Sequence, residues 1–205
     1  MSDGTGLPAD RPESWPVVST EDLYRDDWVM ALRRDVVHRP DHPDEQFPRL
    51  VLEHPGAVMV LALDDAERVL VLDQYRHPVR RRFVELPAGL CDAEHEDPLT
   101  TAQRELAEEA ALQAGSWEHL FTAYSSPGIL SERMEFFLAR DLSPADRGDF
   151  VLEHEEADMT ISWVGFDDLL EAVLAGRVAD APLALAVMRY ALRRGPHPGE
   201  APRPE

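Results

Sequence analysis

The chain has 205 residues, 44% of them hydrophobic, which suits one folded domain with a small appendage and a real core. Its 40 acidic residues against 20 basic ones leave a net charge of −20, which argues against non-specific binding to nucleic acid or an anionic membrane. No run approaches transmembrane length, no apolar signal segment opens the chain, and a lone cysteine, Cys91, permits no intrachain disulfide, so a reducing cytoplasm is the expected compartment.

Residues 1–17 are rich in proline, glycine and acids and read as a flexible tail. Residues 18–53 read as a small antiparallel sheet. Within them, residues 28–37 have strand composition, residues 38–48 are polar and proline-rich and predict a turn or loop, and residues 49–53 predict the returning strand. Residues 56–63 are a continuous apolar run, as expected of a strand buried on both faces. A turn at residues 64–67 and a strand at 68–74 complete a hairpin. Then come Arg76, Arg80, Arg81 and Arg82, the densest basic cluster in the chain, suited to a substrate with several phosphates. Every basic residue is arginine. That suits bidentate phosphate recognition, but a total lack of lysine reads better as genome composition.

Asp97 and Pro98 predict a helix start, an N-cap acid followed by proline in the first turn. From there Leu99, Ala102, Leu106 and Ala110 recur at helical spacing and make one narrow apolar face. Glu105, Glu108 and Glu109 share another. Glu105 and Glu109 stand one turn apart, so their carboxylates project side by side and weaken the helix unless a cation sits between them. A hard divalent ion bound through carboxylate oxygens meets that need. Arg104, one turn before Glu108, is placed to hold that carboxylate. A solvated acidic face is the plain alternative reading of such a helix.

Farther on, residues 117–124 and 134–140 predict strands, separated by a turn-rich loop holding Ser126, Pro127 and Gly128. A polar connection at 143–153 leads to the acidic loop His154-Glu-Glu-Ala-Asp158. A strand at 159–165 and a helix at 167–175 stopped by Gly176 follow. The last amphipathic helix, at 182–194, has proline in its first turn. Residues 195–205 read as a second tail. There is no Walker loop and no zinc-ligand spacing.

Gly89, a spacer, Glu96, seven residues, then Arg104-Glu-Leu-Ala-Glu-Glu-Ala-Ala-Leu112 resembles the Nudix box of the Nudix hydrolases. That box reads Gly, five residues, Glu, seven residues, Arg-Glu-apolar-x-Glu-Glu-x-Gly-apolar. This chain departs from it twice. Six residues separate Gly89 from Glu96, a change of loop length. Ala111 stands where the second glycine is usual, so Gly115 is expected to end the helix instead. Pro127, fifteen residues beyond Leu112, is similar in position to the proline of the ADP-ribose pyrophosphatase subgroup, as are the Ser-Pro-Gly and Ser-Glu-Arg pieces around it.

The resemblance covers roughly residues 50 to 194. It implies an α/β fold, a Nudix-type α/β/α sandwich with a mixed sheet at residues 54–194, preceded by a small N-terminal antiparallel sheet that builds a homodimer. It implies Mg²⁺, with Mn²⁺ as a substitute, on Glu105, Glu109, Glu108 and the main-chain carbonyl of Ala88. Among catalytic residues it implies Arg104, Glu109 and a water-activating glutamate from the acidic loop, Glu156 with Glu155 the close alternative. Substrate contacts are expected from Arg76 and Arg82 on phosphates, Glu132 on a ribose and Trp28 on adenine. The implied reaction is hydrolysis of ADP-ribose to AMP and ribose 5-phosphate. Another nucleotide sugar is the nearest alternative substrate. A non-catalytic ADP-ribose sensor is the distant one, disfavoured by the intact carboxylates and the lack of a basic DNA-binding segment.

Overall fold

The computed structural model describes residues 7–25, 30–93, 96–148, 150–152 and 154–195, arranged as two units. The smaller unit, Met1–His54 with Ser126–Ser131, holds a three-stranded antiparallel sheet of β1 (Val17–Arg25), β2 (Ala31–Arg39) and β3 (His42–Glu53), in that order. The sequence misses one strand here, and one expected loop is corrected. Strand β1 has no signal in the sequence, because all nine of its residues are exposed and nothing forces apolar alternation on it. Backbone pairing to β2 alone makes it a strand. Strand β3 absorbs most of the stretch expected to be a loop: only Pro40 and Asp41 turn, and Arg39 already pairs with His42. Pro43 and Pro48 are tolerated because β3 flanks the sheet, where a missing N–H costs little. Near its end, Leu52 N–H donates to the Ile129 carbonyl at 2.8 Å and Ser131 N–H to the Leu52 carbonyl at 3.1 Å, which adds the proline-bearing segment to this unit.

The larger unit, Pro55–Ser125 with Glu132–Glu205, is built around the long apolar run. It contains β4 (Ala57–Ala62), β5 (Arg68–Arg76), β6 (Arg81–Glu85), β7 (Ala88–Leu90), α1 (Pro98–Ala110), β8 (Leu112–Tyr124) and β9 (Arg133–Pro144). It closes with β10 (Thr160–Gly165), α2 (Phe166–Leu174) and α3 (Ala181–Arg194). One sheet has the order β7–β4–β9–β8, mixed because β4 and β9 run parallel; the other, β10–β5–β6, is antiparallel. Strands β6 and β7 fall in the arginine-rich stretch and at the Pro-Ala-Gly segment, where the sequence predicts no strand.

Every residue of β4 is buried, and its alternation feeds two cores. Val58, Val60 and Ala62 pack with Ala102 and Leu106 of α1 and with Phe137 and Ala139 of β9. Met59 and Leu61 join Phe136, Leu138 and the α2–α3 side chains Phe166, Leu169, Leu183, Ala186 and Val187. Helices thus cover both faces of the strands, as a Nudix-type sandwich requires.

Helix α1 starts as anticipated. Asp97 accepts the Leu99 and Thr100 N–H groups at 3.0 and 3.2 Å. It does not end as anticipated. Ala111 itself takes the left-handed conformation, φ 53° and ψ 40°, and its N–H bonds the Ala107 carbonyl. Gly115 lies inside β8 and ends nothing. No helix among the described residues is long and apolar enough to cross a membrane.

Candidate active site

Strand β7 lays its backbone beside the acidic face of α1. Ala88 N–H donates to Glu109 Oε2 at 3.0 Å. At the next residue a Cβ would lie 2.0 Å from Cδ and 2.1 Å from Oε1 of Glu105, so only glycine at 89 lets the Glu105 carboxylate rest on the strand. Glu105 and Glu109 are 9% and 5% exposed, which is rare for glutamate. Burial, aided by the charges of Glu108 and Glu156 and opposed by Arg104, raises the Glu105 carboxyl to about 7. Burial also lifts Glu109 well above the ordinary carboxylate range, against the Ala88 hydrogen bond, with Glu105 and Glu156 adding to the rise. Each carboxylate makes the other harder to ionise.

Arg104 is the local counter-charge. Its Nη1 lies 2.8 Å from Glu105 Oε1 and 2.9 Å from Glu108 Oε2, and its Nη2 lies 3.4 Å from Glu96 Oε2. Burial works against the guanidinium charge, but these carboxylates outweigh it and raise the Arg104 pKa. Glu96 also accepts from the fully buried Thr101 hydroxyl at 2.9 Å, so it ties the segment before α1 to the helix. Glu96 was absent from the anticipated site residues; its place in the spaced motif was the available signal.

Every donor on this face is an oxygen, and two of the carboxylates are costly to ionise without a positive partner. That chemistry fits a hard divalent cation. Among the described residues no three acidic, histidine or cysteine side chains are gathered as a ready cage. Arg104 draws Glu105 towards Glu108 and Glu96, and a bound cation would take Glu105 in exchange.

Arg76, at the end of β5, meets the Glu85 carboxylate at the end of β6 at 3.0, 3.2 and 2.6 Å. That pairing raises the Arg76 pKa, with burial opposing it and the charges of Glu85, Glu109 and Asp180 assisting. Asp180 caps α3 by accepting Leu183 N–H at 2.8 Å; burial lifts its carboxyl to about 6. The sequence alone does not single out Glu85 or Asp180. A single acid within Phe83-Val-Glu-Leu86 was the signal for the first, and an acid two residues before a helical proline for the second.

The remaining anticipated residues are dispersed. Glu156 opens a single 3₁₀ turn, Glu156–Asp158, and its charge reaches Glu105 and Glu109, whereas Glu155 is exposed just ahead of that turn. Arg82, on β6, is paired with Asp73 and Asp158. Glu132, at the foot of the β8–β9 loop, accepts from the Ser125 hydroxyl. Trp28 lies outside the described residues. Arg147, not anticipated, donates to the Glu109 carbonyl at 2.7 Å and satisfies an orphan group at the end of α1.

A NUDIX domain model matches residues 53–185. An ADP-ribose pyrophosphatase of Mycobacterium tuberculosis is 40% identical over 164 residues, covering 80% of this chain and 77% of that protein. A methanol dehydrogenase activator of Bacillus methanolicus is 30% identical over 176 residues, covering 86% of this chain and 92% of that one. The crystal structure of an ADP compounds hydrolase superposes with a TM-score of 0.71 at 17% identity, over 91% of this chain and 96% of that one.

Proposed function

The chain belongs to the NUDIX family and is a pyrophosphohydrolase, and we propose that it cleaves ADP-ribose to AMP and ribose 5-phosphate. The observation that carries the chemistry is the pair of desolvated carboxylates, Glu105 and Glu109, fitted against the Ala88–Gly89 backbone and in want of positive charge. The substrate follows the kinship with the Mycobacterium tuberculosis enzyme.

Nudix enzymes generally use a divalent metal, here Mg²⁺ with Mn²⁺ as a substitute. Glu105, Glu109, Glu108 and the Ala88 carbonyl would hold the ion, which would supply neutralisation of the diphosphate and acidification of water. Glu156 takes the proton from the attacking water, favoured over Glu155 because its charge acts on both buried carboxylates. The water oxygen forms a new bond to phosphorus as the bridging P–O bond breaks, and the leaving phosphate carries off that electron pair. Arg104 keeps Glu108 and Glu105 aligned, and Arg76, steadied by Glu85, faces the phosphates. Glu132 contacts a ribose, and Trp28 stacks on the adenine. The N-terminal sheet pairs two copies as a homodimer that works in the cytoplasm. That setting suits a chain with one cysteine.

The test is hydrolysis of ADP-ribose with Mg²⁺ beside ADP-glucose, GDP-mannose, NADH and nucleoside triphosphates. AMP released fastest from ADP-ribose is the expected result. Preference for another nucleotide sugar discards the substrate and keeps the metal helix. Glu109→Gln should abolish turnover with the fold intact; full activity in that variant sinks the metal assignment.

A further inference from the structure

A side chain of β6 reaches the turn that carries Glu156. On β6, Arg82 Nη1 lies 2.9 Å from Asp73 Oδ1 of the neighbouring β5, and its Nη2 meets Asp158 Oδ2. Nη1 also lies 3.5 Å from the Asp158 carbonyl. Asp158 ends the 3₁₀ turn that Glu156 begins, and Met159 N–H closes that turn onto the Glu156 carbonyl at 3.1 Å. Three residues make one such turn, so fixing its last residue fixes the direction of its first.

Glu156 stands near enough to Glu105 and Glu109 for its charge to act on both. The three partners are largely exposed, with side-chain exposures of 41% for Arg82, 47% for Asp73 and 74% for Asp158, so the network adds little to fold stability. Two carboxylates on one guanidinium also leave few donors for a phosphate.

We propose that Arg82 is a positioning residue that clamps Asp158, through it holds Glu156 over the α1 carboxylates, and does not itself bind the substrate phosphates. This rests on Glu156 being the water-activating group proposed above.

The experiment is steady-state hydrolysis of ADP-ribose by the full-length Mg²⁺-loaded enzyme, in wild type, Asp158→Asn, Arg82→Gln, Arg82→Lys, the Asp158→Asn/Arg82→Gln double variant and Glu156→Gln. Either single loss of the clamp should lower kcat about tenfold with KM within about twofold, short of the ~10²–10⁴ that loss of a general base costs. The double variant should be no worse than Arg82→Gln, Arg82→Lys should recover part of the rate, and thermal midpoints should not move. If Arg82 binds phosphate instead, Arg82→Gln raises KM while Asp158→Asn frees the arginine and lowers KM; that opposite pair of signs overturns the clamp. A dead Glu156→Gln beside a wild-type Asp158→Asn overturns the clamp alone. An active Glu156→Gln overturns the base assignment and the clamp with it.

Discussion

The two covers of the central strands are made of different material. On one face α2 and α3 bury Phe166, Leu169, Leu183, Ala186 and Val187 against β4, β5 and β9, hydrocarbon on hydrocarbon. On the other, α1 offers Ala102 and Leu106 to the core and buries the carboxylates of Glu105 and Glu109, one and three residues from Leu106. The first face gains from every contact. The second spends part of that gain on holding Glu105 and Glu109 where ionisation is unfavourable. The difference teaches where this fold keeps its stability and where it keeps its chemistry, and it can be attacked from either side.

The largest effect should come from the hydrocarbon face. Leu183 is fully buried on α3, and Leu183→Ala removes its side-chain packing while keeping the backbone N–H that Asp180 accepts. A loss of about 2–5 kcal/mol is expected in urea unfolding. In conditions where the variant remains folded, kcat should stay within about twofold of wild type, because the substitution leaves the α1 carboxylates and the Asp180 cap in place. A large fall in kcat with the protein still folded would mean that the two faces are not separable.

Gly89→Ala attacks the other face. The new Cβ would stand 2.0 Å from Glu105 Cδ, and the atoms in its way are the end of a flexible side chain. Glu105 swings off the strand, and the fold survives. Turnover should drop on the order of 10²-fold, the scale of a small misplacement of a reacting group, with weaker Mg²⁺ binding by calorimetry. A thermal midpoint near wild type completes the contrast with Leu183→Ala. Wild-type turnover would remove Gly89 from the argument.

How far these faces could be read in the sequence follows the same division. The hydrocarbon face was legible because apolar periodicity reports burial directly: residues 56–63, 167–175 and 182–194 all became the elements their patterns announce. On α1, helical spacing grouped Glu105, Glu108, Glu109 and Arg104, and the resemblance to the Nudix box marked them as a site. Strand β1 was not legible because every residue in it is exposed, and β3 was hidden by prolines that an outer strand tolerates. Glu85, Asp180 and Arg147 act through partners 9, 104 and 38 positions away, namely Arg76, Arg76 and Glu109. Such pairings depend on which strands lie side by side, and periodicity within one element carries no trace of them.

The acidic face should also declare itself in the pH dependence of stability. Glu105 is raised to about 7 in the folded chain, above its ordinary value of 4.5, and Glu109 moves the same way. A raised folded pKa means that the native state holds its proton longer than the unfolded chain. Its contribution is therefore full below about pH 4.5 and is lost as pH rises towards 7. For Glu105 the loss is roughly 3 kcal/mol. Urea midpoints measured in chelator should fall across that window, and Mg²⁺ should flatten or reverse the slope by binding the ionised carboxylates. A midpoint that is flat in chelator would mean that these groups are better solvated than their burial indicates.

The smallest effect separates the end of α1 from both faces. Ala111 holds φ 53° and ψ 40°, a left-handed conformation in which a Cβ crowds the carbonyl oxygen. Relief of that crowding in Ala111→Gly is worth about 1–2 kcal/mol. The extra freedom of glycine in the unfolded chain takes back about 0.4–1 kcal/mol. A net gain of roughly 0.5–1 kcal/mol is expected, read as a higher urea midpoint at unchanged slope, with kcat and KM as in wild type. The Ala111 N–H bonds to the Ala107 and Leu106 carbonyls through its backbone, and glycine keeps both. Destabilisation by this substitution would show that the Ala111 methyl is packed more firmly than its strain is costly. In that case the alanine in place of the usual glycine is a choice made by packing rather than a tolerated defect.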